Sequence, residues 1–178
     1  MKETVTFLER VLPAPREDAR FILCAIRQNL QKKRTRQELF QTPEALAESA
    51  FKVSGDGRDA YMALAIFDTS GYRKAAHALA ARSLWLDLDS GKPGVPYATR
   101  DESLEALGAF VKKLEIPEPL LVNSGNCVHV YWPLTEELTP ADWRKLAFGL
   151  KAATKALGLV VDPQRTADIA SVLRVPGT

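Results

Sequence analysis

Apolar residues recur along this chain with two periods, and each period predicts its own kind of element. In residues 3–12, 42–53, 99–116 and 139–158 they return every three or four positions, the spacing that lines one face of a helix. The boundaries agree with that reading. Thr42 and Thr139 are caps followed by Pro43 and Pro140 at the first helical position. Thr99 and Glu102 have capping-box spacing, Pro13 stops the first helix and Gly158 the last. Leu104, Leu107, Val111 and Leu114 form one apolar stripe, and Trp143, Leu146, Ala147, Leu150 and Leu157 another.

Shorter runs rich in β-branched and aromatic residues predict strands. These are ARFILCAIR (19–27), AYMALAIFD (60–68), SLWLDLD (83–89), LVVD (159–162) and SVLRVP (171–176). PLLVNSGNCVHVYWPL (119–134) reads as two strands joined at Ser124-Gly125-Asn126. SGDGRD (54–59) and SGKPGVPYA (90–98) are turn and loop, and the Ala-rich segment 70–82 is expected to be loop and helix, with His77 structural. Helices and strands mix without βαβ alternation, so the expected fold class is α+β, with helices on one face of an antiparallel sheet. A chain of 178 residues suits one domain.

Composition changes this picture little. A net charge of +2 argues neither for nor against a polyanionic partner. Local charge is more telling: RQNLQKKRTRQ (27–37) gathers Arg27, Lys32, Lys33, Arg34 and Arg36, either as a solvated loop or as a patch facing nucleic acid. Cys24 and Cys127 sit in apolar runs with no disulfide framework and no zinc spacing, which suggests a reducing compartment. The acidic residues near the N-terminus do not fit a signal peptide and no run has transmembrane length, so the expectation is a cytoplasmic protein without a membrane partner.

The candidate chemistry begins at residue 83. Strand alternation puts Leu84, Leu86 and Leu88 on one face and Ser83, Trp85, Asp87 and Asp89 on the other, so two carboxylates lie side by side. Their repulsion calls for a cation, water or an Arg/Lys neighbour. Alternation also groups Cys127, His129 and Tyr131, next to a Ser-Gly-Asn turn whose amides and hydroxyl suit an anion. Near the C-terminus Asp162 ends an apolar run, Asp168 follows it, and Arg174 stands among apolar residues. Three carboxylates can hold two hard divalent cations, and cationic side chains beside them can hold a triphosphate. That is the chemistry of a nucleotidyl transferase.

The order hhhDLD (h, apolar), SGNCVHVYW, VVD and LRVPGT resembles the archaeo-eukaryotic primase superfamily, especially the primase-polymerase domains of phages and plasmids, from about residue 60 onward. The resemblance implies a two-lobed core: an N-terminal α/β lobe of about residues 1–80 and an RRM-like antiparallel sheet of about 81–178 carrying the catalytic residues. It implies Asp87 and Asp89 as ligands of Mg2+ or Mn2+, and Asp162 as the third carboxylate with Asp168 as its alternative. His129, the Ser124-Gly125-Asn126 turn and Arg174 would contact a nucleoside triphosphate; Lys32, Lys33, Arg34 and Arg36 of the basic patch, read from local charge, are the candidates for contact with a single-stranded DNA template. Family members continue past a PGT segment into a helical or helicase module, so the chain resembles a trimmed catalytic core. The same residues leave room for two other readings: a metal-dependent nuclease, or a replication-origin DNA-binding module with a relict catalytic face.

Overall fold

A computed structural model of the protein describes residues 1–27, 34–91, 93–125 and 127–178, with Arg34 described by its backbone alone. The expectations for Lys32, Lys33 and Asn126 therefore lie outside the described residues. The helices are α1 (Lys2–Val11), α2 (Pro43–Gly55), α3 (Arg100–Leu114) and α4 (Pro140–Leu157). Their start signals act as expected: Thr42, Thr99 and Thr139 each accept a backbone N–H of the first helical turn through the side chain, and Gly158 ends α4 in the left-handed region at φ 75°.

The strands are β1 (Phe21–Arg27), β2 (Arg34–Phe40), β3 (Asp59–Ala63), β4 (Ala65–Phe67), β5 (Ala78–Asp89), β6 (Leu120–Asn123), β7 (Cys127–Leu138) and β8 (Val172–Arg174). Among the described residues they form two sheets, ordered β2-β1-β3-β8 and β4-β5-β7-β6, and all ladders are antiparallel. The class is thus α+β, as the mixed periodicity predicts. Among the described residues, no helix is long and apolar enough to cross a membrane.

Three expectations change, besides the basic stretch, whose residues 34–37 belong to strand β2 rather than to a loop. The run 60–68 is two strands rather than one, because the chain passes at Leu64 from the first sheet, where β3 pairs with β1 and β8, to the second, where β4 pairs with β5. Met62 through Phe67 are all buried there, which is why the sequence shows a continuous apolar run and no alternation. The Ala-rich segment forms no α-helix: a 3-10 turn at Ala75–His77 leads straight into β5 at Ala78. Pairing of Ala80 and Ala81 with Ile66 and Ala65 overrides alanine's helix preference. Finally, LVVD is not a strand. Asp162 makes a single ladder-like bond, N–H to the Asp87 carbonyl at 3.0 Å, and then Pro163, which has no donor, opens a turn.

Two apolar clusters hold this arrangement. The larger joins α1, α2, the first sheet and β4 with one face of β5 and β7, through Trp85, Tyr131 and Trp143. The smaller lies under the opposite face, where Leu86, Leu88, Val128, Val130 and Trp132 meet Leu107, Phe110 and Val111 of α3. Burial on both faces fixes the register of the β5–β7 ladder, since a slip of one residue would drive Asp87 and Asp89 into the apolar layer.

Candidate active site

The ends of β5 and β7 run beyond the larger cluster, and the face that buries Trp85 and Tyr131 there becomes polar. In register, Trp85 is opposite Tyr131, Asp87 opposite His129 and Asp89 opposite Cys127. A cleft of about 390 Å³ opens above them, lined by Tyr61, Asp87, Asp89, Ser124, Cys127, His129, Asp162, Arg165, Val172, Leu173 and Arg174. One wall is the first sheet, through β3 and β8, and the floor is the second. Of the sequence candidates, Asp87, Asp89, Asp162, Ser124, His129 and Arg174 converge here.

Asp168 is elsewhere. It lines a separate groove with Pro140, Trp143 and Arg144, and its Oδ1 accepts the Ala170 N–H at 2.9 Å. Of the two candidates for third carboxylate, the cleft therefore contains Asp162. Arg36 is also remote: it lies on edge strand β2, 3.2 Å from Glu38. Arg34 begins that strand, and Arg36 does not line the cleft.

Asp162 reaches Asp87 because its backbone is tied to β5 by the bond described above. Its side chain then caps its own turn, with Oδ1 accepting the Gln164 N–H at 2.9 Å. That turn delivers a residue the sequence reading missed. Arg165 Nε lies 3.1 Å from Asp87 Oδ2 and 3.0 Å from Asp162 Oδ2, so one guanidinium bridges both carboxylates. Arg165 is itself fixed: its carbonyl accepts Trp85 Nε1 at 2.9 Å and Ser171 Oγ at 3.1 Å, and its Nη1 donates to the Val172 carbonyl at 2.9 Å. The signal in the sequence is the i, i+3 spacing of Asp162 and Arg165 across a proline turn, which becomes informative only once Asp87 is known to be adjacent.

His129 is 4% exposed, with Nε2 3.7 Å from Asp87 Oδ1 and no partner for Nδ1 among the described residues. Burial, reinforced by the positive charges of Arg165 and Arg174 and opposed by Asp89, lowers its pKa to about 4, so the ring is neutral near pH 7. Asp89 accepts the Cys127 thiol at 2.7 Å. In the turn, Ser124 N and Oγ both donate to the Cys127 carbonyl at 3.0 Å, and Gly125 N donates to Asn123 Oδ1 at 3.0 Å. These two amides are thus engaged within the turn. Gly125 sits at φ 101°, which explains a glycine there. Arg174 donates through Nη2 to Asp59 Oδ1 at 2.7 Å and lies over the Tyr61 ring, 5.3 Å from its centroid.

Among the described residues no group of three or more His, Cys, Asp or Glu side chains stands arranged around a metal position. The donor chemistry nevertheless fits a hard divalent cation. Asp87, Asp89 and Asp162 offer carboxylate oxygens in one cleft, and between two of them the charge is partly balanced by a cation, the Arg165 guanidinium.

No protein-family model and no curated protein matches the sequence. Among solved structures, the archaeo-eukaryotic primase-type (AEP) domain of the cyanophage S-2L primase-polymerase superposes with a TM-score of 0.63 at 17% identity, covering 98% of this chain and 81% of that one. The polymerase domain of Mycobacterium tuberculosis Ligase D, solved with DNA, gives a TM-score of 0.48 at 18% identity, covering 92% of this chain and 59% of that one. The cyanophage likeness is one of fold: the four helices and two antiparallel sheets described here are arranged as in that domain.

Proposed function

We propose that this chain is the catalytic core of a primase-polymerase, a nucleotidyl transferase that joins nucleoside triphosphates on a single-stranded DNA template. The observation that carries the reading is the convergence, in one cleft of an AEP-type fold, of Asp87, Asp89 and Asp162 with His129 and Arg174. On this reading residues 1–178 act as one catalytic domain whose lobes meet at the cleft, and the open end of the β5–β7 ladder receives the nucleotide.

Mg2+ or Mn2+ held by Asp87, Asp89 and Asp162 would neutralise phosphate charge and ease deprotonation of the attacking hydroxyl. The chain's own groups do the rest. Arg174, anchored on Asp59 and Tyr61, presents a fixed positive charge to the triphosphate from the β8 wall. His129, neutral and buried, offers a ring N–H to a phosphate oxygen. In the transfer a 3′-hydroxyl oxygen bonds to the α-phosphorus as the bond to pyrophosphate breaks, and charge developing on the leaving group faces these two residues.

Extension of a primed and an unprimed single strand, with ribo- and deoxynucleotides and either metal, tests the reading. Template-dependent product that is lost in the Asp87→Ala and Asp89→Ala variants is expected. Degradation of the strand without incorporation would assign the same carboxylates to a nuclease instead.

A further inference from the structure

Arg165 has no role in the proposed transfer, yet its backbone is fastened at the cleft and its side chain reaches both carboxylates. Both carboxylate oxygens it meets, Asp87 Oδ2 and Asp162 Oδ2, belong to proposed metal ligands. The contacts that hold it are independent of them. Trp85, 0% exposed, and Ser171, 6% exposed, bind its carbonyl, and the Val172 carbonyl takes its Nη1. The turn that begins at Asp162 thus delivers a carboxylate and its counter-charge together.

Asp87 lies almost wholly buried at 7% exposure, so a nearby positive charge strongly favours its ionised form. A divalent cation bound by the same two oxygens and the guanidinium that now bridges them would repel each other at short range. They are alternatives. We infer that Arg165 is a built-in counter-ion that occupies the Asp87–Asp162 position in the metal-free protein and is displaced as a divalent cation binds, setting the threshold cation concentration for the site. This rests on the metal-ligand reading of the carboxylates and adds a competing cation supplied by the chain itself. Displacement frees a guanidinium beside His129 and Arg174, on the side of the cleft that faces the triphosphate, so cation and nucleotide binding become coupled.

The test is Mn2+ binding to the purified chain without nucleotide, read as free Mn2+ by electron paramagnetic resonance, together with the melting temperature in chelator. Arg165→Gln removes the charge and the Nη1 bond to Val172 while keeping two methylenes of the stem and an amide nitrogen at about the position of Nε. It is expected to tighten Mn2+ binding by about tenfold and to lower the melting temperature in chelator by several degrees, with Mn2+ restoring most of the loss. Arg165→Lys, which keeps the charge but cannot fork between two carboxylates, is expected to fall between the two, and it serves as the test if the Gln variant does not fold. Equal or weaker Mn2+ binding by the variants would overturn the inference and make Arg165 a group that only positions the carboxylates. Asp89→Asn separates this from failure of the underlying reading. Asp89 makes no ion pair with Arg165 among the contacts above, so its loss should weaken Mn2+ binding in wild-type and Arg165→Gln backgrounds alike. Absence of Mn2+ binding by both the wild-type and Arg165→Gln chains would overturn the metal site and the counter-ion role together.

Discussion

His129 is the residue whose environment most constrains its chemistry. Its pKa is about 4 in the folded, metal-free chain against 6.5 unfolded, so between those values the unfolded state binds a proton that the folded state does not. Stability is therefore fully present above about pH 6.5 and is lost as pH falls toward 4, by an amount on the order of 3 kcal/mol. His129→Gln, which cannot titrate, should flatten the pH dependence of urea unfolding in chelator across that window; an unchanged slope would place the titration elsewhere. The same variant and Arg174→Ala should each raise the apparent KM for nucleotide, and lower kcat where the lost contact tightens in the transition state. Unchanged nucleotide affinity in both would make them structural residues. Asp87→Ala and Asp89→Ala should abolish nucleotide addition and leave the melting transition cooperative, because each removes a carboxylate from a polar cleft and opens no apolar cavity.

β5 is the element on which the site depends. Its alternation separates an apolar face against α3 from a polar face that carries Asp87 and Asp89, and its pairing with β7 puts His129 and Cys127 opposite them. What holds that face down is a pair of tryptophans. Trp85 and Trp143 stack at 4.6 Å, Trp143 Nε1 donates to the Ser83 carbonyl at 2.8 Å, and Trp85 Nε1 holds the Arg165 carbonyl. Trp143→Ala should cost about 3–5 kcal/mol in denaturant unfolding, and Trp143→Phe clearly less, since the ring is 1% exposed and the hydrogen bond is its smaller contribution. A loss below about 1 kcal/mol would mean that α4 is not what supports β5. Leu146, grouped with Trp143 on the apolar stripe of α4, is 48% exposed and contributes to the wall of an open groove with Leu120 and Trp132 instead.

The two sheets together make the cleft, and neither does so alone. β8 crosses from the C-terminal end of the chain to the first sheet and brings Arg174 against Tyr61, while β4 leaves that half of the chain to pair with β5. The basic stretch includes Arg36 on edge strand β2, at the other side of the first sheet from β8. If it tracks a template, neutralising Lys32, Lys33 and Arg34 together should weaken single-strand binding for all sequences and reduce the salt slope by roughly 0.7 per lost phosphate contact, with nucleotide binding in the absence of template intact. An unaltered slope would leave these residues a solvated segment. Much of this was decided within the sequence itself. Helix caps, the β6–β7 hairpin turn and the alternation of SLWLDLD and CVHVY depend on neighbours a few positions away, so local chemistry already specified four helices, most strands and the shared face of Asp87 and Asp89. Other features depend on partners distant in the chain. The break at Leu64, the strand at the Ala-rich 78–82 and the non-strand at 159–162 follow from which sheet each segment meets. The choice of Asp162 for the cleft and the role of Arg165 required the tertiary structure for the same reason: a carboxylate and a guanidinium three residues apart acquire their meaning from Asp87, which lies some 75 residues earlier in the chain and reaches them only through the fold.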